Sequence, residues 1–165
     1  MPDKLLSEHF TDAELDVADA EERIVRNATW FCEQILEPLR AEVGPVAVHC
    51  GYRTPEHNRE VGGADDSYHL YAGDHCAADI VPTSGNMQEA FDWLRLRSNL
   101  PFHKVILEHD KMNNPQCVHI QAHADRKNRT ESRQAFTGLV AGQSKHYPEV
   151  PCISCKLDGL ERGTL

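Results

Sequence analysis

Two hydrophobic patterns alternate along the chain. Ile24, Ala28, Phe31, Ile35 and Leu39 recur at steps of 4, 3, 4 and 4, the period of a single buried helical stripe, and predict a helix over about residues 20–42. Pro38 is expected to kink or break that helix near its end, and Gly44 to stop it. Upstream, Thr11-Asp12-Ala13-Glu14 reads as a capping box opening a short helix. Downstream, VAVHC at residues 46–50 is short, β-branched and bounded by Pro45 and Gly51, which predicts a strand. Thr54-Pro55 combines an N-cap with proline at the first helical position, giving one or two turns that end at Gly62-Gly63. A polar loop over 64–75 leads into a strand at 76–81 and a helix at 84–97, with Met87, Phe91 and Leu94 on one face. Two further strands, 104–108 and 117–121, flank a polar connection. Residues 124–147 are polar and ambiguous, with 135–140 either an edge strand or irregular. Trp30, Phe31 and Trp93 lie on predicted helices and read as core.

Helices first, then strands mixed with helices, indicate the α+β class rather than a regular βαβ repeat. The expectation is a small, mostly antiparallel sheet packed against helices. At 165 residues the chain is expected to form a single domain, with its core at about 7–123 and a polar C-terminal extension over 124–165.

Composition narrows the partners. The charge is −9 with histidines neutral, which repels phosphate backbones and argues against nucleic acid. No stretch approaches 18 apolar residues, so no membrane span is expected. The first ten residues carry Asp3, Lys4 and Glu8 and no apolar run, so synthesis in the cytoplasm without a secretion signal is expected, as is a monomer. The absent signal favours free thiols for the six cysteines. Cys152-Ile153-Ser154-Cys155 has the spacing of half a zinc knuckle, a redox pair or two ordinary thiols, with His146 the nearest soft ligand.

Ten histidines are many for this length. His69, His75, Asp79 and His119 sit on loops or strands beside small residues, where a metal is able to approach. No single local motif supplies a ligand set, and solvated surface histidines are the plain alternative. His123, four residues beyond His119, lies ~13 Å along a regular strand from it, too far to share one ion. His49 reads as a core or edge residue, and His9, His57, His103, His109 and His146 as surface.

Residues 51–80 read GYRTPEHNREVGGADDSYHLYAGDHCAADI. This resembles the signature of the zinc peptidases of family M15, which include D-alanyl-D-alanine carboxypeptidases and phage L-alanyl-D-glutamate endolysins. The family runs S-G-Y-R-[ST]-x-x-x-N, then G-G, then S-x-H-x-x-G-x-A-x-D-[IF], and closes on a strand bearing V-H or W-x-H. HFTDAEL at 9–15 and ILEPLR at 35–40 resemble its lead-in helices. The resemblance implies a Hedgehog/DD-peptidase-like fold and one zinc ion held by His69, Asp79 and His119. Two imidazoles and one carboxylate leave such a site net positive, which acidifies bound water. Arg53 matches an arginine that the family points into its site, where a guanidinium is able to hold the scissile carbonyl or its oxyanion. Ser67 either contacts substrate or orders its loop.

Two departures bear on the chemistry. The family's aspartate stands seven positions after its first histidine, whereas here the difference is 79 − 69 = 10. The extra residues fall within 71–76 and make His75 an alternative ligand. Ser-x-His and the preceding Gly62-Gly63 favour His69, which leaves His75 at the rim or on the surface. Many active members also carry Glu or Asp three residues before the last histidine, as general base. Gln116 stands there, and a neutral amide accepts no proton. Glu108 is the nearest replacement if strand 104–108 pairs with 117–121; otherwise it caps a strand in solvent.

The resulting expectation is a zinc metallopeptidase acting on peptidoglycan peptides, of carboxypeptidase or endolysin type. The missing secretion signal suits a phage-encoded protein acting on the cell wall. Gln116 supports the alternative, a catalytically inactive zinc-containing module that binds peptidoglycan or another partner.

Overall fold

The computed structural model describes residues 2–124, 133–139 and 149–150. Cys152, Cys155, His146 and most of the polar extension lie outside the described residues. The apolar stripe forms one continuous helical stretch of α1 (Glu22–Phe31), a π-helical turn (Cys32–Leu36) and α2 (Glu37–Val43), and all five stripe residues are buried. Pro38 does not break it. Proline lacks an N–H and crowds the carbonyl four residues back, and the wider turn just before it accommodates both, with the Glu37 N–H reaching back to the Cys32 carbonyl.

The Thr11–Glu14 capping box forms: the Thr11 N–H donates to Glu14 Oε2 at 2.9 Å and the Glu14 N–H to Thr11 Oγ1 at 3.3 Å. It opens a turn rather than the expected helix. Asp16 takes a left-handed φ of 59°, which ends the helical path after one turn, and its carboxylate receives the Gly51 N–H at 3.1 Å.

The remaining elements are β1 (Val46–Cys50), α3 (Pro55–Glu60), a 3-10 turn (Tyr68–Leu70), β2 (His75–Pro82), α4 (Met87–Leu96), β3 (Phe102–His109), β4 (Pro115–His123), β5 (Gln134–Leu139) and β6 (Glu149–Val150). Helix α4 starts later than its pattern suggests because Asn86 Oδ1 accepts from the Glu89 N–H and caps it there.

The strands form one sheet in the order β1-β2-β4-β3-β5-β6. The α+β class holds, but the sheet is mixed rather than mostly antiparallel, since β5 runs parallel to β3. The reason is geometric. Strand β4 ends beside the start of β3, and β5 begins at that same end on the other side of β3. A strand that reverses the direction of β4 there must run with β3. Because β6 pairs outside it, β5 is not an edge strand.

Alternation divides the sheet into two faces. Cys76, Ala78, Ile80, Val105, Leu107, Val118, Ile120 and Ala122 join the helices in the core, and α1 and α4 pack against this side. Phe31 is fully buried and Trp30 and Trp93 partly so. Among the described residues, Cys32, Cys50, Cys76 and Cys117 form no disulfide. Among the described residues no helix is long and apolar enough to cross a membrane.

Candidate metal centre

The opposite face of the sheet carries the chemistry. Antiparallel register places Asp79 of β2 directly across from His119 of β4, with Ile106 of β3 on the far side of His119 and Glu108 opposite Cys117. Gln121 and His123 continue the same face along β4. His69 arrives from the 3-10 turn, which Ser67 caps at its N-terminus: the Ser67 Oγ accepts from the His69 N–H at 3.3 Å.

Three donor groups converge. His119 Nδ1 lies 2.8 Å from Asp79 Oδ1, His69 Nε2 lies 3.3 Å from His119 Nδ1, and His69 Nε2 lies 3.5 Å from Asp79 Oδ2. Tetrahedral zinc with bonds of about 2.0–2.1 Å separates its ligand atoms by roughly 3.3 Å, so this donor set fits such an ion. The outer nitrogens are also tied down. His69 Nδ1 is 2.6 Å from the Gly51 carbonyl, and His119 Nε2 is 3.2 Å from Gln121 Oε1. Both outer partners are acceptors, so each ring can keep a hydrogen on its outer nitrogen when a cation takes the place of the hydrogen bond between its inward nitrogen and Asp79.

Burial pushes the Asp79 carboxyl up, but hydrogen bonds and charge from His119 and His69 outweigh it and hold the group well below the usual carboxylate range. Burial lowers His119 in turn, yet Asp79, Glu108 and Gln121 raise it above an ordinary imidazole. The pair attracts positive charge, as a cation site must.

Gly51 is fixed by close approach. A Cβ there would run into the Leu15 carbonyl, which itself accepts the Tyr52 N–H at 2.9 Å. Gly63 is equally constrained, since a Cβ would overlap the side chain of buried Asn58, whose Nδ2 donates to the Ala64 carbonyl at 2.9 Å. Arg53 follows directly. Its N–H donates to the His69 carbonyl at 2.7 Å, its Nε donates to Cys50 Sγ at 3.0 Å, and its Nη2 lies 3.5 Å from Asp79 Oδ2. Cys50, with donor atoms of His69 and Asp79 within 4.8 Å, was not singled out by sequence; its place opposite Asp79 depends on strand register. Burial raises its thiol and Arg53 opposes the rise.

An open cleft of ≈ 360 Å³ lies over this cluster, lined in part by Arg53, Ser67, Tyr68, Lys104, Glu108 and Gln121. Glu108 is buried and accepts from Cys117 Sγ at 3.4 Å. Gln116 is elsewhere: the β3/β4 register slips between Glu108 and His109, leaving Gln116 as the extra residue of a bulge. It is exposed, with Nε2 donating to Asn114 O at 3.3 Å.

His75 does not join the cluster. It groups with Asp74 and His123 around Tyr68, whose ring it stacks on. His123 is buried, and His103, expected at the surface, is half-buried with its ring 5.2 Å from that of His123. Strand pairing brought these residues together, and single-residue reading had no access to it.

A family model described as Peptidase M15 matches residues 8–121. No curated protein matches the chain.

Proposed function

The chain belongs to the peptidase M15 family, and on that premise we propose that it hydrolyses peptide bonds in bacterial peptidoglycan as a zinc-dependent enzyme of carboxypeptidase or endolysin type. The observation that carries this reading is the convergence of His69, Asp79 and His119 beneath a cleft that also holds Arg53 and Glu108. Zinc bound by those three donors supplies a Lewis acid that polarises a carbonyl and acidifies water.

The chain's own residues do the rest. Arg53, steadied by Cys50, turns its guanidinium toward the substrate carbonyl and meets the negative charge that develops on its oxygen. Glu108 takes a proton from the attacking water and returns it to the departing amine nitrogen, the work of a general base that then serves as acid. Gln116 has no part in this exchange. Ser67 orders the turn that presents His69, and its place in the cleft wall suits a hydrogen bond to the peptide backbone.

The test is incubation of zinc-loaded protein with purified cell wall and with short peptides ending in D-Ala-D-Ala, followed by an assay for new amino groups. Release of amines, reduced at least 100-fold in Glu108→Gln, is the expected result. An unchanged rate in Glu108→Gln removes that residue from the mechanism. Binding to cell wall without any release favours a recognition module instead.

A further inference from the structure

We propose that Asp74, His75 and His123 form a second site for a divalent metal ion, separate from the His69–Asp79–His119 cluster and suited to a borderline ion such as zinc. One ligand atom from each of the three lies within 4.8 Å of the others, and His123 Nδ1 is 3.2 Å from Asp74 Oδ1. His75 and His123 face each other directly across β2 and β4. Each is four residues along its strand from Asp79 or His119, roughly 13 Å at strand rise, so the two groups cannot share an ion.

The site is held in shape before any ion arrives. The His75 ring stacks on Tyr68 at 3.9 Å, with the planes 2° apart. His123 Nε2 is 2.9 Å from the Tyr68 hydroxyl, which leaves Nδ1 turned toward Asp74. The backbone of the turn is fastened from three sides. Gly73 O accepts from Arg23 Nη1 at 2.8 Å and from Asn27 Nδ2 at 2.9 Å, and Asp74 O accepts the Ala124 N–H at 2.7 Å. The longer spacing between His69 and Asp79 is what supplies both Asp74 and His75.

Two imidazoles and a carboxylate match zinc and its neighbours in softness rather than magnesium or calcium, which prefer all-oxygen sites. His123 is buried while the Asp74 side chain is 40% exposed, so the ion would enter from the Asp74 side and keep solvent there. Its effect is positional. It fastens the turn to the end of β4 and fixes the His123 hydrogen on the Tyr68 hydroxyl, one residue from His69. The site stands independently of the peptidase reading.

The test counts zinc by elemental analysis after the full-length protein is equilibrated with excess zinc and desalted. Two equivalents are expected in the wild type, and one in Asp74→Asn/His75→Ala, whose substituted side chains are half-exposed. One is also expected in His119→Ala, and close to none when all three substitutions are combined. His75→Gln, which keeps a polar side chain, should likewise lower the count, and circular dichroism checks that each variant folds. A single equivalent in the wild type that His119→Ala abolishes overturns the second site and leaves the first intact. Two equivalents retained in Asp74→Asn/His75→Ala overturn it as well.

Discussion

The Gly51 carbonyl orients His69, and the Leu15–Asp16 turn holds Gly51 from behind, so a residue with no side chain governs the direction of the His69 ring. Gly51→Ala drives a methyl group into the Leu15 backbone, which has little room to yield. The expected cost is about 1–3 kcal/mol of stability, with zinc affinity falling roughly 10–100-fold as the ring loses its hydrogen-bond partner. Urea unfolding and calorimetric titration read the two effects, and an unchanged affinity would show that the Gly51 contact does not orient the ligand. A second residue-scale device is Glu37, which accepts from Ser7 Oγ at 2.6 Å and from the His9 N–H at 2.8 Å. Burial pushes its carboxyl up, but these bonds and the His9 ring hold it below its usual value. A carboxylate depressed in the folded state stabilises above its unfolded pKa of about 4.3 and loses that contribution as pH falls through the folded value. Glu37→Gln should therefore cost on the order of 1 kcal/mol at pH 7 and progressively less toward pH 3. A gap of constant size across that range would rule out the carboxylate as its source.

At the scale of elements, periodicity was informative where a segment's structure depends on its own residues. The stripe from Ile24 to Leu39 marks a helix whose buried face survives the π turn, and Phe31 at its centre is wholly enclosed. Phe31→Ala should cost about 3–5 kcal/mol and lower the melting temperature by roughly 10 °C at 2–4 °C per kcal/mol; a fall of only a degree or two would mean the core closes around the gap. Capping chemistry was less decisive. Thr11 and Glu14 bond as a box, yet the next residues turn away because the left-handed Asp16 answers to Gly51, 35 positions along the chain. Bulges were illegible for the same reason. His103 and Gln116 are extra residues only relative to their partner strands, and the slip at Gln116 carries that residue away from the site while Glu108 stays in it. A single strand's sequence does not reveal where its neighbour skips.

At the scale of the whole molecule, the motif between Gly51 and Ile80 indicated which residues to watch but not how the sheet brings them together. Placing β4 between β2 and β3 sets His119 against Asp79 on one side and Glu108 near it on the other, and the same order gathers His75, His103 and His123 around Tyr68. Neither group exists in the unfolded chain, where His69 and His119 are 50 residues apart. An ion held by these donors therefore binds the folded state far better than the unfolded one, and mass action transfers that preference into stability. With free zinc at 100 times its dissociation constant the gain is about 2.7 kcal/mol per site, or roughly 5–10 °C in melting temperature for a chain of this size. Thermal denaturation with a chelator and then with added zinc should show a rise of at least this size. His119→Ala should shrink it, and His119→Ala with His75→Ala should abolish it. Melting curves that coincide with and without zinc would mean that the donors, although convergent, do not hold the ion, and the proposed chemistry would then have no metal to work with.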